Sequence, residues 1–127
     1  MFKNHDPASI GAPAPSYSHG IEVPPNARLL YIAGQIGMIQ GRTGKGIEEQ
    51  TEMAWRNLTA VLQAAGMGIT DLVKITTFLT RAENIAAYRT VRDRFQAGHR
   101  PASTLLVVSA LANPDWLVEV EAVAAKA

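Results

Sequence analysis

Apolar residues recur at helical spacing in two stretches of the chain, and each stretch predicts an amphipathic helix. In residues 47–65 the apolar stripe consists of Ala54, Leu58, Val61, Leu62 and Ala65. Gly66 and Gly68 follow this stripe and are typical of a helix end. The second stripe consists of Ile85, Tyr88, Val91 and Phe95, with Asn84 as the expected N-cap and Gly98 as the expected end.

Other stretches have the alternation, or the β-branched and aromatic content, that is typical of strands. The predicted strands cover residues 16–21, 27–38, 71–80, 103–109 and 116–124. The first sixteen residues are rich in Pro, Gly, Ala and Ser, so we expect them to be extended and loop-like. The glycine-rich segment GRTGKG, residues 41–46, predicts a hairpin loop.

The order β-β-α-β-α-β-β favours a single domain over residues 1–127, an α+β sandwich with both helices on one face of a sheet. The residues of the last strand that suit contact with the helices are Val118, Val120, Ala122 and Ala124. The opposite face then carries Glu119, Glu121 and Val123, and we expect Leu105 and Val107 there as well. Because a half-apolar open sheet face usually meets a partner, this pattern predicts a homo-oligomer.

Composition and charge exclude several classes of function. The chain has 127 residues, a formal net charge of +1 and no cysteine. A nearly neutral chain has no overall field for nucleic acid or an anionic membrane, and without cysteine it forms no disulfide, Cys-ligated zinc site or thiol nucleophile. The sequence also lacks a membrane-spanning apolar run and a signal-peptide core. We therefore expect a soluble, cytoplasmic protein that does not bind membranes.

Motifs for a cofactor or a metal are absent from the sequence. The GRTGKG segment does not match a phosphate-binding loop, because Ile39 stands at the first glycine position and Gly46 at the Ser/Thr position. The histidines, His5, His19 and His99, are isolated and have no helical metal-site spacing. We therefore expect neither a phosphate-binding loop nor a metal site.

The segment WLVEVEAVA, residues 116–124, places two carboxylates on an otherwise apolar strand. Glu119 and Glu121 point to one face, roughly 6.5–7 Å apart along the chain. They lie either on a solvated edge without a function, or in a cleft between subunits, where a desolvated carboxylate can act as an acid or a base. Alternation alone leaves both interpretations open.

Four segments together resemble the Rid (YjgF-like) family of reactive-intermediate deaminases. In chain order they are APSYSHG, YIAGQIG, RPASTLLVV and LVEVEAVA, and the resemblance covers about residues 10–125. It implies a chorismate-mutase-like fold with a mainly antiparallel sheet and two helices on one face. It also implies a homotrimer with small-molecule clefts between subunits and cofactor-free hydrolysis of imines and enamines to a keto acid and ammonia. Older family labels include translation inhibitor and endoribonuclease, but no basic stripe with stacking aromatics is present, so nucleic acid is not an expected partner.

The resemblance also implies site residues, one position at a time. Tyr17 matches the tyrosine of the family's cleft, and Gly34 matches the backbone position that approaches the ligand. Ala33 stands where a serine is common. Glu119 matches the glutamate that positions the attacking water, and Glu121 matches the second acidic residue of the same motif.

Three positions depart from the family pattern and bear on the substrate. Ser103 replaces the arginine that clamps the substrate carboxylate in deaminase members, and Leu105 stands where a cysteine is frequent. Arg89 aligns with a frequent asparagine and is either an anion contact or part of a solvated helix face. Arg100 is a poor replacement, because its odd spacing from Ser103 directs it to the opposite face.

These departures leave more than one function open. Loss of the clamp argues against ordinary 2-iminopropanoate deaminase activity, because a charge-assisted hydrogen bond contributes about 1.5–3 kcal/mol. Without the clamp, Glu119 favours a neutral or amine-bearing ligand, whereas Arg89 at the cleft would favour an anion. The candidates are an imine or enamine deaminase with an altered substrate range, a non-catalytic member that binds a metabolite or another protein, and, remotely, a ribonuclease.

Overall fold

The computed structural model describes residues 2–127 of the chain. In chain order its strands are β1 (Lys3–His5), β2 (Gly20–Glu22), β3 (Arg28–Ile36), β4 (Met38–Ile39), β5 (Arg42–Thr43), β6 (Leu72–Leu79), β7 (Ala102–Val107) and β8 (Val118–Lys126). The helices are α1 (Gly46–Ala64) and α2 (Ile85–Gln96). Neither of these helices is long and apolar enough to cross a membrane.

Four strands form the main sheet, in the order β3-β8-β6-β7. The pairs β3–β8 and β6–β8 are antiparallel, while β6 and β7 are parallel. Helix α2 makes the crossover that a parallel pair requires, since it lies between β6 and β7 in the chain. The predicted α+β architecture with a mainly antiparallel sheet is confirmed.

The hydrophobic core lies between the helices and one face of this sheet. Its strand residues include the predicted even positions of β8, and its helix residues include the predicted stripes of α1 and α2. A polar contact is enclosed in it: Tyr88 Oη lies 2.6 Å from Thr77 Oγ1 and accepts a 3.4 Å hydrogen bond from Trp55 Nε1. Burial raises the pKa of the Tyr88 hydroxyl, against the effect of these hydrogen bonds.

The opposite face of the sheet is open and partly apolar. Glu119 pairs with Phe78 of β6 and with Ile36 of β3, so these side chains share this face. Tyr31 of β3 is 74% exposed, and Leu106 of β7 is 45% exposed. The prediction of a half-apolar open face is therefore confirmed, although its membership differs in part.

The placement of Leu105 and Val107 on the open face is wrong. The parallel register pairs Leu105 with Thr77 and Val107 with Leu79, and both partners are buried on the helix side. Leu106 lies on the open face instead. Alternation correctly predicts that Leu105 and Val107 share a face, but which face depends on the register with β6, and a shift of one residue reverses it.

The N-terminal region contains structure that the composition did not indicate. Strands β1 and β2 form an antiparallel pair across a long connection, and the predicted strand 16–21 begins later, at Gly20. Asn4 Nδ2 donates a 3.0 Å hydrogen bond to Ser18 Oγ, and His5 Nε2 lies 3.0 Å from Glu22 Oε1. These polar contacts hold the N-terminal segment along the start of β2.

Two local predictions change in detail. The side chain of Asn84 makes no capping hydrogen bond, because Asn84 itself lies in a 3-10 turn with helical φ and ψ. The hairpin formed by β4 and β5 turns at Gln40 and Gly41, which both have positive φ, so the glycine-rich segment supplies only part of the turn. Gly44 then returns to the sheet by donating a 2.8 Å hydrogen bond to the Gly37 carbonyl oxygen.

Candidate functional site

A bulge in β3 brings the backbone of Gly34 directly beneath the Glu119 carboxylate. The register between β3 and β8 shifts between Ile32 and Gln35, so Ala33 and Gly34 have no directly opposed residue. A Cβ built on Gly34 would collide with the side chain of Glu119. The carboxylate therefore lies there only because position 34 has no side chain.

The carboxylate of Glu119 is unpaired and has apolar neighbours. No hydrogen bond or ion pair within residues 2–127 engages it, and its strand neighbours on the open face are Ile36 and Phe78. Glu121 lies two residues further along the same face, is exposed and pairs with Thr76. Of the two glutamates, Glu119 is therefore the one held beside apolar groups and a bare backbone, with its oxygens free to accept protons from water or a ligand.

A groove at the other side of the sheet brings four predicted site residues together. It lies between the N-terminal segment, α2 and the edge strand β7, and its volume is about 550 Å³. Its lining includes Tyr17, Arg89, Ser103 and Leu105. The resemblance alone connected these positions, since they are far apart in the chain. The chain folds so that a phenol, a guanidinium, a hydroxyl and an apolar side chain face one space.

The backbone around Tyr17 is fixed to the end of α2 and the start of β7. Gln96 Nε2 donates to the Ser16 carbonyl oxygen at 3.0 Å, and Arg100 Nε donates to that of Tyr17 at 3.1 Å. Ser18 N–H in turn donates to the Pro101 carbonyl oxygen at 3.2 Å. Arg100 thus supports the groove from behind rather than lining it.

Sequence reasoning missed other residues that line the groove. Arg92 and Asp93 of α2 both contribute to it, together with Ile85, which lies one helical turn before Arg89. Their signal was the spacing from Arg89 to Asp93, which places the two side chains on one helix face. Within the described residues, no cluster of His, Asp and Glu side chains could hold a metal ion.

The two groups of candidate residues lie on opposite faces of one sheet. Glu119 and Gly34 belong to the open face, whereas Ser103 and Leu105 share the helix side with Ile75 and Thr77. The two groups also lie on different strands. Because β6 lies between β8 and β7, the axes of these two strands are roughly 10 Å apart. A single chain therefore does not bring the two groups of candidate residues together.

Comparisons with known proteins agree on one family. A family profile described as endoribonuclease L-PSP matches residues 8–126. A RutC family protein of Pyrococcus horikoshii is 35% identical over 99% of this chain and 96% of its own length. The 2-iminobutanoate/2-iminopropanoate deaminase of Rattus norvegicus is 33% identical over 93% of this chain and 82% of its own length. A Rid-family structure from Yersinia pestis, titled as a protein of unknown function, superposes with a TM-score of 0.85 at 29% identity and 98% coverage of both chains.

Proposed function

Because the chain belongs to the Rid (YjgF-like) family, we propose that it is a homotrimer that hydrolyses small imines or enamines in clefts between its subunits. The rat relative is named as a deaminase of 2-iminobutanoate and 2-iminopropanoate, which are small imino acids. Similarity along nearly the whole of both chains supports a related reaction for this protein. The proposed reaction uses water and needs no cofactor.

The observation that carries this proposal is that the two groups of candidate residues lie on opposite faces of the sheet. Glu119 lies unpaired over Gly34 on the open face, and Tyr17 lines the groove on the other side. If the open face of one subunit meets the groove of the next, each cleft receives a carboxylate from one chain and ligand-holding groups from the other. The exposed apolar side chains Tyr31 and Leu106 supply area for such a contact.

In this cleft, Glu119 acts as the general base and then as the general acid. It accepts a proton from water as the water oxygen bonds to the carbon of a protonated imine, which gives a carbinolamine. Glu119 then returns the proton to the nitrogen, the C–N bond breaks and ammonia leaves. The hydroxyl oxygen loses its proton to solvent as the C=O bond forms, so water and imine give a ketone and ammonia without oxidation or reduction. An enamine enters the same sequence after protonation at carbon.

The backbone near Gly34 and the Tyr17 side chain hold the ligand. The absence of a side chain at Gly34 leaves room for the Glu119 carboxylate, so an imine bound beside this backbone lies within reach of that carboxylate. Tyr17 supplies a ring face and a hydroxyl to the lining of the groove, and Ser103 supplies a further hydroxyl. Ala33, beside Gly34 in the bulge, completes the backbone surface.

The test measures ammonia release from imines that an amino-acid oxidase generates in the assay. We expect the wild-type protein to accelerate release and Glu119→Gln to lose about 10²–10⁴-fold, the usual contribution of a positioned acid or base. Glu121→Gln is the matched control, because it removes the same charge from the same face of β8 two residues away. This control should retain wild-type activity.

The mass of the assembly in solution is measured on the same samples. We expect three times the chain mass of 13.7 kDa for the wild type and for both glutamine variants. A fully active monomer would exclude the shared cleft. If wild type is silent but Ser103→Arg releases ammonia, the cleft is intact and lacks only the family's clamp. If no ammonia is released by the wild type or by either variant, Glu119→Gln or Ser103→Arg, the result would favour a non-catalytic member that binds a metabolite.

A further inference from the structure

The groove beside α2 contains one cation that nothing in the fold neutralises. Its charged lining residues are Arg89, Arg92 and Asp93. Arg92 is 6% exposed and donates from Nε and Nη2 to Asp93 Oδ1, at 3.0 and 2.9 Å. Arg89 is exposed, and no hydrogen bond or ion pair in the described part of the chain engages it. The groove therefore has a net positive charge, and Arg89 carries it.

The pairing of Arg92 with Asp93 explains why Arg89 has no ion-pair partner within the described residues. Asp93 is four residues after Arg89, the spacing at which opposite charges usually pair on a helix. Here Asp93 already accepts both contacts from Arg92, whose guanidinium also lies 5.8 Å from the centre of the Tyr88 ring. Burial holds Arg92 in this arrangement and directs Asp93 toward it, so Arg89 is left to bind a group that comes from outside.

The other residues that line the groove indicate the chemistry of the rest of the ligand. Leu105 and Ile85 are apolar, and Tyr17 adds a ring face. The groove of the single chain has a volume of about 550 Å³, within the ~300–1,000 Å³ range of small-molecule pockets. The wall where an arginine would approach a compact substrate carries only the Ser103 hydroxyl.

We propose that Arg89 is the residue that binds the substrate carboxylate, and that the preferred substrates are imino acids with an apolar side chain that packs against Leu105. This inference rests on the proposed function, because it takes the groove as half of the reaction site. In the family pattern the anion contact lies on the edge strand, at the position of Ser103, whereas here it lies on α2. The space beside Ser103 then accommodates apolar atoms of the substrate. Arg89 is thus a specificity-determining residue.

The experiment measures binding of a stable keto acid, so that it does not depend on turnover. The probe is 4-methyl-2-oxopentanoate, the keto acid of a leucine-derived imine, titrated into the assembled protein by calorimetry. Arg89→Gln should weaken binding about 10- to 100-fold, because a charge-assisted hydrogen bond is lost. Arg94→Gln is the matched control on the same helix, since Arg94 lines a different depression with Glu52 and Phe95, and it should bind as wild type does.

Two further arms separate a ligand contact from a general structural effect. Asp93→Asn should strengthen binding severalfold, because it removes the one negative charge from the lining, and opposite changes at positions 89 and 93 require an anion in the groove. Pyruvate should bind at least about tenfold more weakly than 4-methyl-2-oxopentanoate, because it leaves the apolar wall uncovered. In Leu105→Ser this preference should shrink.

Several outcomes would overturn the inference. These are wild-type affinity in Arg89→Gln, absence of wild-type binding at millimolar probe, equal affinity for pyruvate, and inorganic phosphate binding as tightly as the keto acid. The proposed hydrolysis fails separately. Keto-acid binding that depends on Arg89, without ammonia release, would overturn the proposed hydrolysis and support Arg89 as the carboxylate-binding residue. Ammonia release that is unchanged in Arg89→Gln would overturn that role of Arg89 and support the hydrolysis.

Discussion

At Gly34 the space that a side chain would need is already filled by the Glu119 carboxylate. Gly34→Ala must push Glu119 out of its position, and displacement of a catalytic group by about 1 Å can cost about 10²-fold in rate. We therefore expect kcat for ammonia release to fall about 10²-fold while the protein stays folded. The control is Gly68→Ala, where a Cβ meets nothing within 4 Å and φ is −140°. Equal rates for the two variants would contradict a role for the Glu119 position.

Tyr88 makes the stability of the protein depend on alkaline pH. Burial raises the pKa of its hydroxyl, so the folded chain favours the neutral phenol. This contribution is fully present below about pH 10, the unfolded value, and is lost as pH rises through the raised folded pKa. Tyr88→Phe should lower stability at pH 8 by about 1–3 kcal/mol, because Thr77 loses its buried partner, and should flatten the decline above pH 10.

Urea denaturation between pH 8 and 11 measures both effects of Tyr88→Phe. Tyr31→Phe makes the same change at a tyrosine that is 74% exposed, and it should keep the wild-type pH dependence. If the stability of Tyr88→Phe falls above pH 10 as steeply as that of the wild type, other groups cause the fall. The surroundings of Gly34 and Tyr88 result from close packing and burial, which the sequence alone does not give.

Among the elements, α1, α2, β6 and β8 were predictable because each carries its own periodicity. The predicted limits differ from the observed ones by a few residues at most. Strand β1 was not predictable, because its three residues are exposed and polar and it exists only by pairing with β2 far along the chain. The face on which Leu105 lies was predicted wrongly for a related reason, since register with β6 is a property of two strands.

Gln50 of α1 joins three elements that approach the site. Its Nε2 donates to the carbonyl oxygens of Gly44 and Asp115, at 3.1 and 2.9 Å, and its Oε1 accepts from Leu117 N–H at 2.8 Å. These contacts tie the β4–β5 hairpin and the loop before β8 to the helix. Gln50 therefore fixes the chain at Leu117, directly before β8 begins at Val118 and two residues before Glu119.

Gln50→Leu should destabilise the protein by about 2–4 kcal/mol, because it leaves buried backbone groups without partners. Gln63→Leu is the matched control, since Gln63 is exposed on the same helix, and it should change stability by less than about 0.5 kcal/mol. Urea denaturation at neutral pH measures the difference. Similar midpoints for the two variants would mean that the three hydrogen bonds of Gln50 contribute little to the fold.

For the whole molecule, the decisive feature is that residues implied by one cleft lie on two faces of a sheet. The resemblance predicts one set of site positions, and the structure places Gly34 and Glu119 on the open face and Tyr17 and Ser103 in the groove. It implied clefts between subunits but did not say which chain supplies each residue, because contact between subunits is not encoded in the alternation of a strand. The structure separates Glu119 from the groove, and this separation makes the shared cleft testable by mixing chains.

Mixed assemblies of two variant chains provide that test. Glu119→Gln damages the open-face half of the site, and Tyr17→Ala damages the groove half while Gln96 and Arg100 still hold the backbone at residues 16 and 17. Each variant alone should be inactive. If each cleft takes one half from each neighbour, random co-assembly of the two chains leaves about one quarter of the clefts with both halves intact. We expect ammonia release to return to about that fraction of wild type after joint refolding. Mixed assemblies that stay inactive would place both halves of the cleft in one chain.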